Sequence, residues 1–238
     1  GMVTPTSSQF VHASAEPGWS DENYTLNWVN MRSPYVGIAW QCGPRNGKPT
    51  PFADKRVRRA MTQLLDREKM LKEIWEGIGE VTGQPSNSCS IANDPSIKPW
   101  PYDLVQAKAL LAEAGWKDRD GDGVIENEAG QPFGFEFTAP NGGEIVQRIM
   151  SYIRAQCALA GIRCTPNIVG YPAPYNDIQA RRDFDAIYAS WFPGDPESDP
   201  SQIFHSKAIL NGGNNFPPWN PPAAPPPPPP PPPAPAAR

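Results

Sequence analysis

Long apolar runs are missing from these 238 residues: none approaches the roughly 18 that a membrane-spanning helix needs. The first residues, Gly1-Met2-Val3-Thr4-Pro5, carry neither a basic n-region nor an apolar h-region, so no signal peptide is expected there. Histidine is down to two, His12 and His205, and no G-x-S-x-G, P-loop or H-E-x-x-H motif occurs. With no nucleophile–base pair legible, no enzyme and no catalytic residue is expected. A basic excess is also lacking. Lys and Arg total 21 against 25 Asp and Glu, a net charge of −4 with no basic stripe, which excludes an electrostatic nucleic-acid binder. The four cysteines, Cys42, Cys89, Cys157 and Cys164, show no C-x-x-C spacing, which argues against zinc and leaves three disulfide pairings or none.

Proline is what the chain has in excess. Of 32 prolines, fourteen fall in 217–238, including the unbroken run Pro225 to Pro233. Proline brings no donor to a ladder or helix, so this tail is expected to be polyproline II or disordered and to build no core. Residues 1–32 are polar and aperiodic and read as an irregular leading segment. The folding body is therefore placed at 33–216, with 217–238 as a separate proline-rich tail.

Within the body, strands and helices alternate. Tyr35 to Trp40 reads as a strand, bounded by Pro34 and the turn-rich Gly43-Pro44-Arg45-Asn46-Gly47. Asp54 opens a helix with Val57, Ala60, Met61, Leu64 and Leu65 at helical spacing. Asp66 caps a continuation through Met70, Leu71, Ile74 and Trp75 that Gly77 and Gly79 end. Asp103 with Gln106 three residues on predicts another start, and Gly115 its stop. Phe133, Phe135 and Phe137 alternate with Gly134, Glu136 and Thr138, as a half-buried strand requires. A helix over about 144–160 should turn Ile145, Ile149, Tyr152 and Ile153 inward. Ile162 to Ile168 reads as a strand near a sheet edge, because of Pro166. A short helix over Tyr175 to Arg182 and a strand over Phe184 to Trp191 follow. The class is α/β, a mixed sheet flanked by helices.

Two local patterns carry possible chemistry. Asp118, Asp120 and Asp122, with Gly123 next and an apolar residue two positions on, match the opening of an EF-hand calcium loop. Its twelfth position, however, is Ala129 rather than a carboxylate, and helical flanks are missing. Calcium is thus a possible cofactor, against the alternative of a turn in which Asp and Gly accept left-handed dihedrals. The second pattern is Trp191 to Pro200, where an indole and the carboxylates of Asp195, Glu197 and Asp199 leave a strand end. Loops at strand ends are where α/β sheets hold ligands. Such a carboxylate can hold an amine while Trp191 stacks on a ligand. Equally, Trp191 can be core and the acids solvated.

Pro51-Phe52-Ala53-Asp54-Lys55-Arg56-Val57-Arg58-Arg59-Ala60-Met61 followed by Asp66-Arg67 resembles the P-F-x-D-x-R-V-R-x-A…D-R segment of family 5 extracellular solute-binding proteins. The likeness continues through Tyr102 to Trp116, the Asp-Gly-Asp-Gly turn, Ala160-Gly161-Ile162, Phe184-Asp185-Ala186, the Trp191 to Pro200 loop, Phe204-His205-Ser206 and Asn214-Asn215-Phe216. Ordered matches thus run over about 35–216. The resemblance implies a single lobe of a type II periplasmic-binding-protein fold, from a receptor whose two lobes close on a small solute. The solute would be a di- or oligopeptide, the parent's partner an ABC transporter permease, and its place periplasmic or extracellular.

The resemblance also implies that an aspartate after the last strand pairs with the ligand's α-ammonium. Asp195 is the first candidate, Asp199 the second, and Trp191 lies beside them. The change at Pro217 to a proline-rich run is the pattern expected of a shifted or truncated reading frame, and the chain is expected to be a fragment. A lobe without its partner could self-associate through the exposed cleft face or serve as a calcium-stabilised interaction module. Export would permit a short Cys157–Cys164 bridge with Cys42 and Cys89 left to each other, whereas a cytosolic fragment would keep all four reduced.

Overall fold

A computed structural model of the chain describes residues 35–84, 93–191, 201–209 and 215. The leading segment 1–32, the tail 217–238, His12 and Cys89 lie outside them. Four strands form one sheet: β1 (Tyr35–Trp40), β2 (Gly134–Pro140), β3 (Arg163–Val169) and β4 (Ala186–Trp191), in the order β1-β4-β2-β3. β2 runs parallel to both β3 and β4, while β1 is antiparallel to β4 and pairs Tyr35 with Trp191. The carboxyl ends of β2, β3 and β4 therefore share one edge of the sheet.

Helices cover both faces. α1 (Lys55–Gln63), α2 (Arg67–Ile74), α3 (Leu104–Glu113) and α4 (Gly143–Leu159) lie with the larger core. α5 (Ala173–Arg181) covers the other face, where Tyr175, Phe184, Ile187 and Ala189 form a second cluster. The alternation along β4 explains the split: Ala186 and Tyr188 meet the first core, Ile187 and Ala189 the second. α6 (Ser201–Phe204) and a 3₁₀ turn (Ser206–Ile209) follow.

The caps are local chemistry and form as the sequence predicts. Asp54 accepts from the Arg56 amide at 2.8 Å, Asp66 from Lys69 at 3.0 Å and Asp103 from Gln106 at 2.8 Å. Gly115 follows α3 at φ +93° and Gly161 follows α4 at φ +74°, both left-handed. At Gly161 there is also no room for a side chain, since a Cβ would come within 2.8 Å of the Gly123 carbonyl oxygen.

The first core is aromatic at its centre. Phe52 is fully buried and lies 4.7 Å from Trp40, 5.3 Å from Phe135 and 6.1 Å from Phe133, ring centre to ring centre. Phe133, Phe135 and Phe137 are all buried, as their alternation requires. β3 is an edge strand, and Pro166 sits in it without costing the sheet a ladder bond on a second side. One expectation is corrected. On α4 the buried stripe is Val146, Ile149, Met150, Ile153 and Cys157, with Ile145 and Tyr152 on its flanks. The sheet below selects the stripe, and Tyr152 instead leans toward α2, its hydroxyl donating to the Asp66 carbonyl at 3.3 Å.

Candidate functional site

The shared carboxyl edge of β2, β3 and β4 is where a ligand would meet the sheet. β4 ends at Trp191, whose backbone pairs with Tyr35 of β1. Asp195 and Asp199 lie outside the described residues, so their expected role rests on the resemblance alone. The neighbouring strand ends are well defined. The Asn141 amide donates to the Val169 carbonyl at 2.8 Å, which ties the exits of β2 and β3 together. Beyond Val169 the chain turns through Gly170 into Tyr171, a residue 66% exposed whose ring lies 6.2 Å from that of Tyr175. Tyr175 is buried, and its hydroxyl donates to the Tyr188 carbonyl, which anchors this connection to β4. Ile168, 44% exposed, adds an apolar side chain on the same strand end. Tyr171 and Ile168 were not singled out by the sequence reading, although an aromatic in a Gly-x-Pro turn after a strand is a usable signal.

The opposite edge is closed rather than open. Asn46 and Gly47 adopt φ +50° and +77° between Arg45 and Lys48, which exchange backbone hydrogen bonds at 2.9 Å each. This Asn-Gly turn presents Arg45 to three carboxylates: Asp183 at 2.9 Å, Asp185 at 3.0 Å and Glu136 at 3.3 Å. Asn46 donates to Asp183 as well, at 3.1 Å. The Arg45 guanidinium holds the Asp183 carboxyl below the usual aspartate range. Every charge of this cluster faces a partner, so the edge is a clamp and offers little to a ligand.

The aspartate-rich turn lies between α3 and β2. Asp118, Asp120 and Asp122 come together as expected, and Glu126 joins them, with one oxygen of each within 4.8 Å of the others. The fourth carboxylate is thus at the ninth position of the pattern rather than the twelfth, because the chain folds back to pair Lys117 with Glu126 instead of entering a helix. Glu126 is buried and accepts from the Arg119 amide at 2.9 Å. The two Asp118 oxygens accept from Gly121 at 2.7 Å and Gly123 at 3.1 Å, and Asp122 pairs with Arg163 at 3.3 Å. Asp122 also accepts from the Val124 amide at 2.7 Å, so the turn is closed by its own amides and by Arg163, with one oxygen each of Asp120 and Glu126 left to face a cation. His205 is far less suited to such a role, being exposed and accepting through Nδ1 from the Lys207 amide at 3.0 Å.

Comparison with known proteins gives this geometry its context. Residues 16–211 match the model of the family described as bacterial extracellular solute-binding proteins, family 5 Middle. The oligopeptide-binding protein AppA of Bacillus subtilis is 34% identical over 187 residues, which cover 76% of this chain and 32% of AppA. The glutathione-binding protein GsiB of Shigella flexneri is 26% identical over 175 residues, 71% of this chain and 30% of that protein. The structure of AppA solved with a nonapeptide superposes with a TM-score of 0.71 at 30% identity, over 79% of this chain and 36% of AppA. The chain thus spans about a third of the length of the relatives it matches. Its fold is one lobe of a periplasmic-binding-protein architecture, and no helix among the described residues is long and apolar enough to cross a membrane. That family is made up of solute-binding proteins rather than enzymes, and this protein belongs to family 5 of the bacterial extracellular solute-binding proteins.

Proposed function

We propose that this chain forms one wall of the solute cleft in the binding component of an ABC importer, and that its solute is a peptide. The observation that carries this is the 34% identity with an oligopeptide-binding protein whose superposing structure holds a nonapeptide. The carboxyl edge of the sheet, with Trp191 at the end of β4, suits that role. In this reading Asp195 accepts a charge-assisted hydrogen bond from the peptide's α-ammonium, Trp191 lies against the peptide, and Asp199 is the second anchor. The complete receptor hands the solute to a membrane permease.

A single wall leaves most of a peptide in water, whereas good sites bury the greater part of their ligand. The chain by itself should therefore bind di- and tripeptides more weakly than micromolar, and a sub-micromolar constant by calorimetry would overturn the one-wall reading. Native mass spectrometry with a mixed peptide library reads out the anchor. A hydrogen bond to a charged group contributes about 1.5–3 kcal/mol, so Asp195→Ala should weaken retention by about ten- to a hundredfold. Loss on Asp199→Ala instead would move the anchor to that residue. The exposed Ile168 and Tyr171 favour a competing reading, self-association through the same edge. Light scattering separates the two, since a monomer at high concentration removes the second.

The four converging carboxylates support a lesser role for the turn, as a weak calcium site that stabilises the lobe. Extracellular calcium sites commonly dissociate near about 1 mM. Ten times that concentration should add about 1.4 kcal/mol, a rise of a few degrees in melting temperature. Asp120→Asn should abolish the rise. An unchanged melting temperature in 10 mM calcium would leave the turn as a structure closed by its own amides.

A further inference from the structure

Cys157 and Cys164 lie on two different elements and belong to the same core cluster. Cys157 is in the last turn of α4 and fully buried; Cys164 is the second residue of β3 and 7% exposed. Only six residues separate them, and the corner between them is tightly made. The Ile162 amide donates to the Cys157 carbonyl at 2.9 Å and the Gly161 amide to Ala158 at 3.1 Å, so the helix end is folded back onto the strand. β3 pairs Cys164 with Phe135, and since Phe135 belongs to the first core, Cys164 points toward α4 rather than to the far face. Both side chains belong to the same buried cluster. The corner also carries weight elsewhere, because the Gly161 carbonyl accepts from Ile125 at 2.9 Å and so docks the acidic turn.

Two thiols buried in one core cluster at the two sides of a tight corner need only lose two hydrogens to become a cross-link. We propose that Cys157 and Cys164 form a disulfide that staples α4 to β3, closed by exchange with a low-molecular-weight disulfide. The chemistry has a defined order. The neighbouring Cys164 and burial hold the Cys157 thiol above its usual range, while Cys157, against burial and with a smaller aid from Arg154, holds Cys164 below it, so Cys164 ionises first. The Cys164 thiolate attacks one sulfur of the small disulfide, forming a mixed disulfide and releasing one thiolate. Cys157 then gives up its proton, its sulfur attacks Cys164 Sγ, and the second small thiolate leaves. The protein loses two electrons and two protons, and the small disulfide gains them as two thiols.

The pair is distinguishable from the other two cysteines by experiment. The full chain is refolded from denaturant in a glutathione redox buffer, which gives buried sulfurs equal access to the oxidant. It is then alkylated in denaturant and mapped by mass spectrometry before and after reduction. The expected result is a peptide pair linking Cys157 to Cys164, two mass units below the reduced sum, persisting in the Cys42→Ser/Cys89→Ser variant. Closing so short a loop restrains the unfolded chain modestly, so oxidation should raise the melting temperature of that variant by about 5 °C. The gain should vanish in Cys164→Ser, whose own fold is checked by circular dichroism. Cys157 and Cys164 each alkylated after oxidative refolding, or linked to Cys42 or Cys89 in preference to each other, would overturn the proposal. So would an oxidised pair that melts no higher than the reduced one.

Discussion

Phe52→Ala should cost this lobe about 3–5 kcal/mol, the range for emptying a buried aromatic site. Phe52 is fully buried, and it touches three aromatic rings brought to the core from two parts of the chain: Trp40 at the end of β1, Phe133 just before β2 and Phe135 within it. The 3₁₀ turn that carries it, Pro51–Ala53, is short and rigid, so it cannot sink into the vacated space. Arg58 also bonds the carbonyl of Phe52, at 2.7 Å, which fixes the turn to α1. Domains are commonly stable by only about 5–15 kcal/mol. The melting temperature should therefore fall by about 10 °C, and denaturant titration should show a lower midpoint at an unchanged slope. Phe52→Leu keeps most of the volume and should cost less than half as much. Equal losses for the two variants would mean that the ring contacts, rather than the filled volume, set the stability.

Arg45→Met carries the second large effect. The guanidinium holds Asp183, Asp185 and Glu136 at 2.9–3.3 Å, and its removal leaves three carboxylates facing one another. The cluster is half-buried, so the loss should fall between that of an exposed pair and a buried one, about 2 kcal/mol at pH 7. The pH dependence has a definite sign. The Asp183 carboxyl is depressed below its unfolded value, chiefly by its hydrogen bond from Arg45. That contribution is complete above about pH 4, the ordinary aspartate value, and is lost as pH falls through the lower folded value. The stability gap between the native protein and Arg45→Met should thus be full at neutral pH and narrow in acid. A gap that stays constant down to pH 2 would show that Arg45 acts by packing and not by charge. Because the clamp is on the edge opposite Trp191, the same variant should leave peptide capture unchanged wherever the lobe remains folded.

What could be seen in the residues alone is what is decided within a few residues of chain. Asp54, Asp66 and Asp103 cap their helices because a carboxylate reaches amides two or three residues ahead, whatever the rest of the fold does. Phe133, Phe135 and Phe137 announce a strand because side chains alternate along any strand. Pro166 marks an edge because proline has no amide to give. The family resemblance, too, was carried by ordered matches along the chain, and the matching family model spans 16–211. Asp118, Asp120 and Asp122 lie close together for the same reason, since a short loop confines them.

Contacts between distant residues followed a different logic. Arg45 meets Asp183 and Glu136 across 138 and 91 residues of sequence, and no local rule selects those carboxylates from the others. Glu126 joined the aspartates through a fold-back that pairs it with Lys117, where the spacing pattern had pointed to position 129. The inward stripe of α4 shifted toward Val146 and Met150 because the sheet beneath, rather than helical period alone, decides which residues lose water. The order β1-β4-β2-β3 underlies the first and the last of these. Periodicity identifies strands and their faces, but which strands become neighbours depends on how the whole chain best buries its apolar surface, and that is decided only when every element is packed.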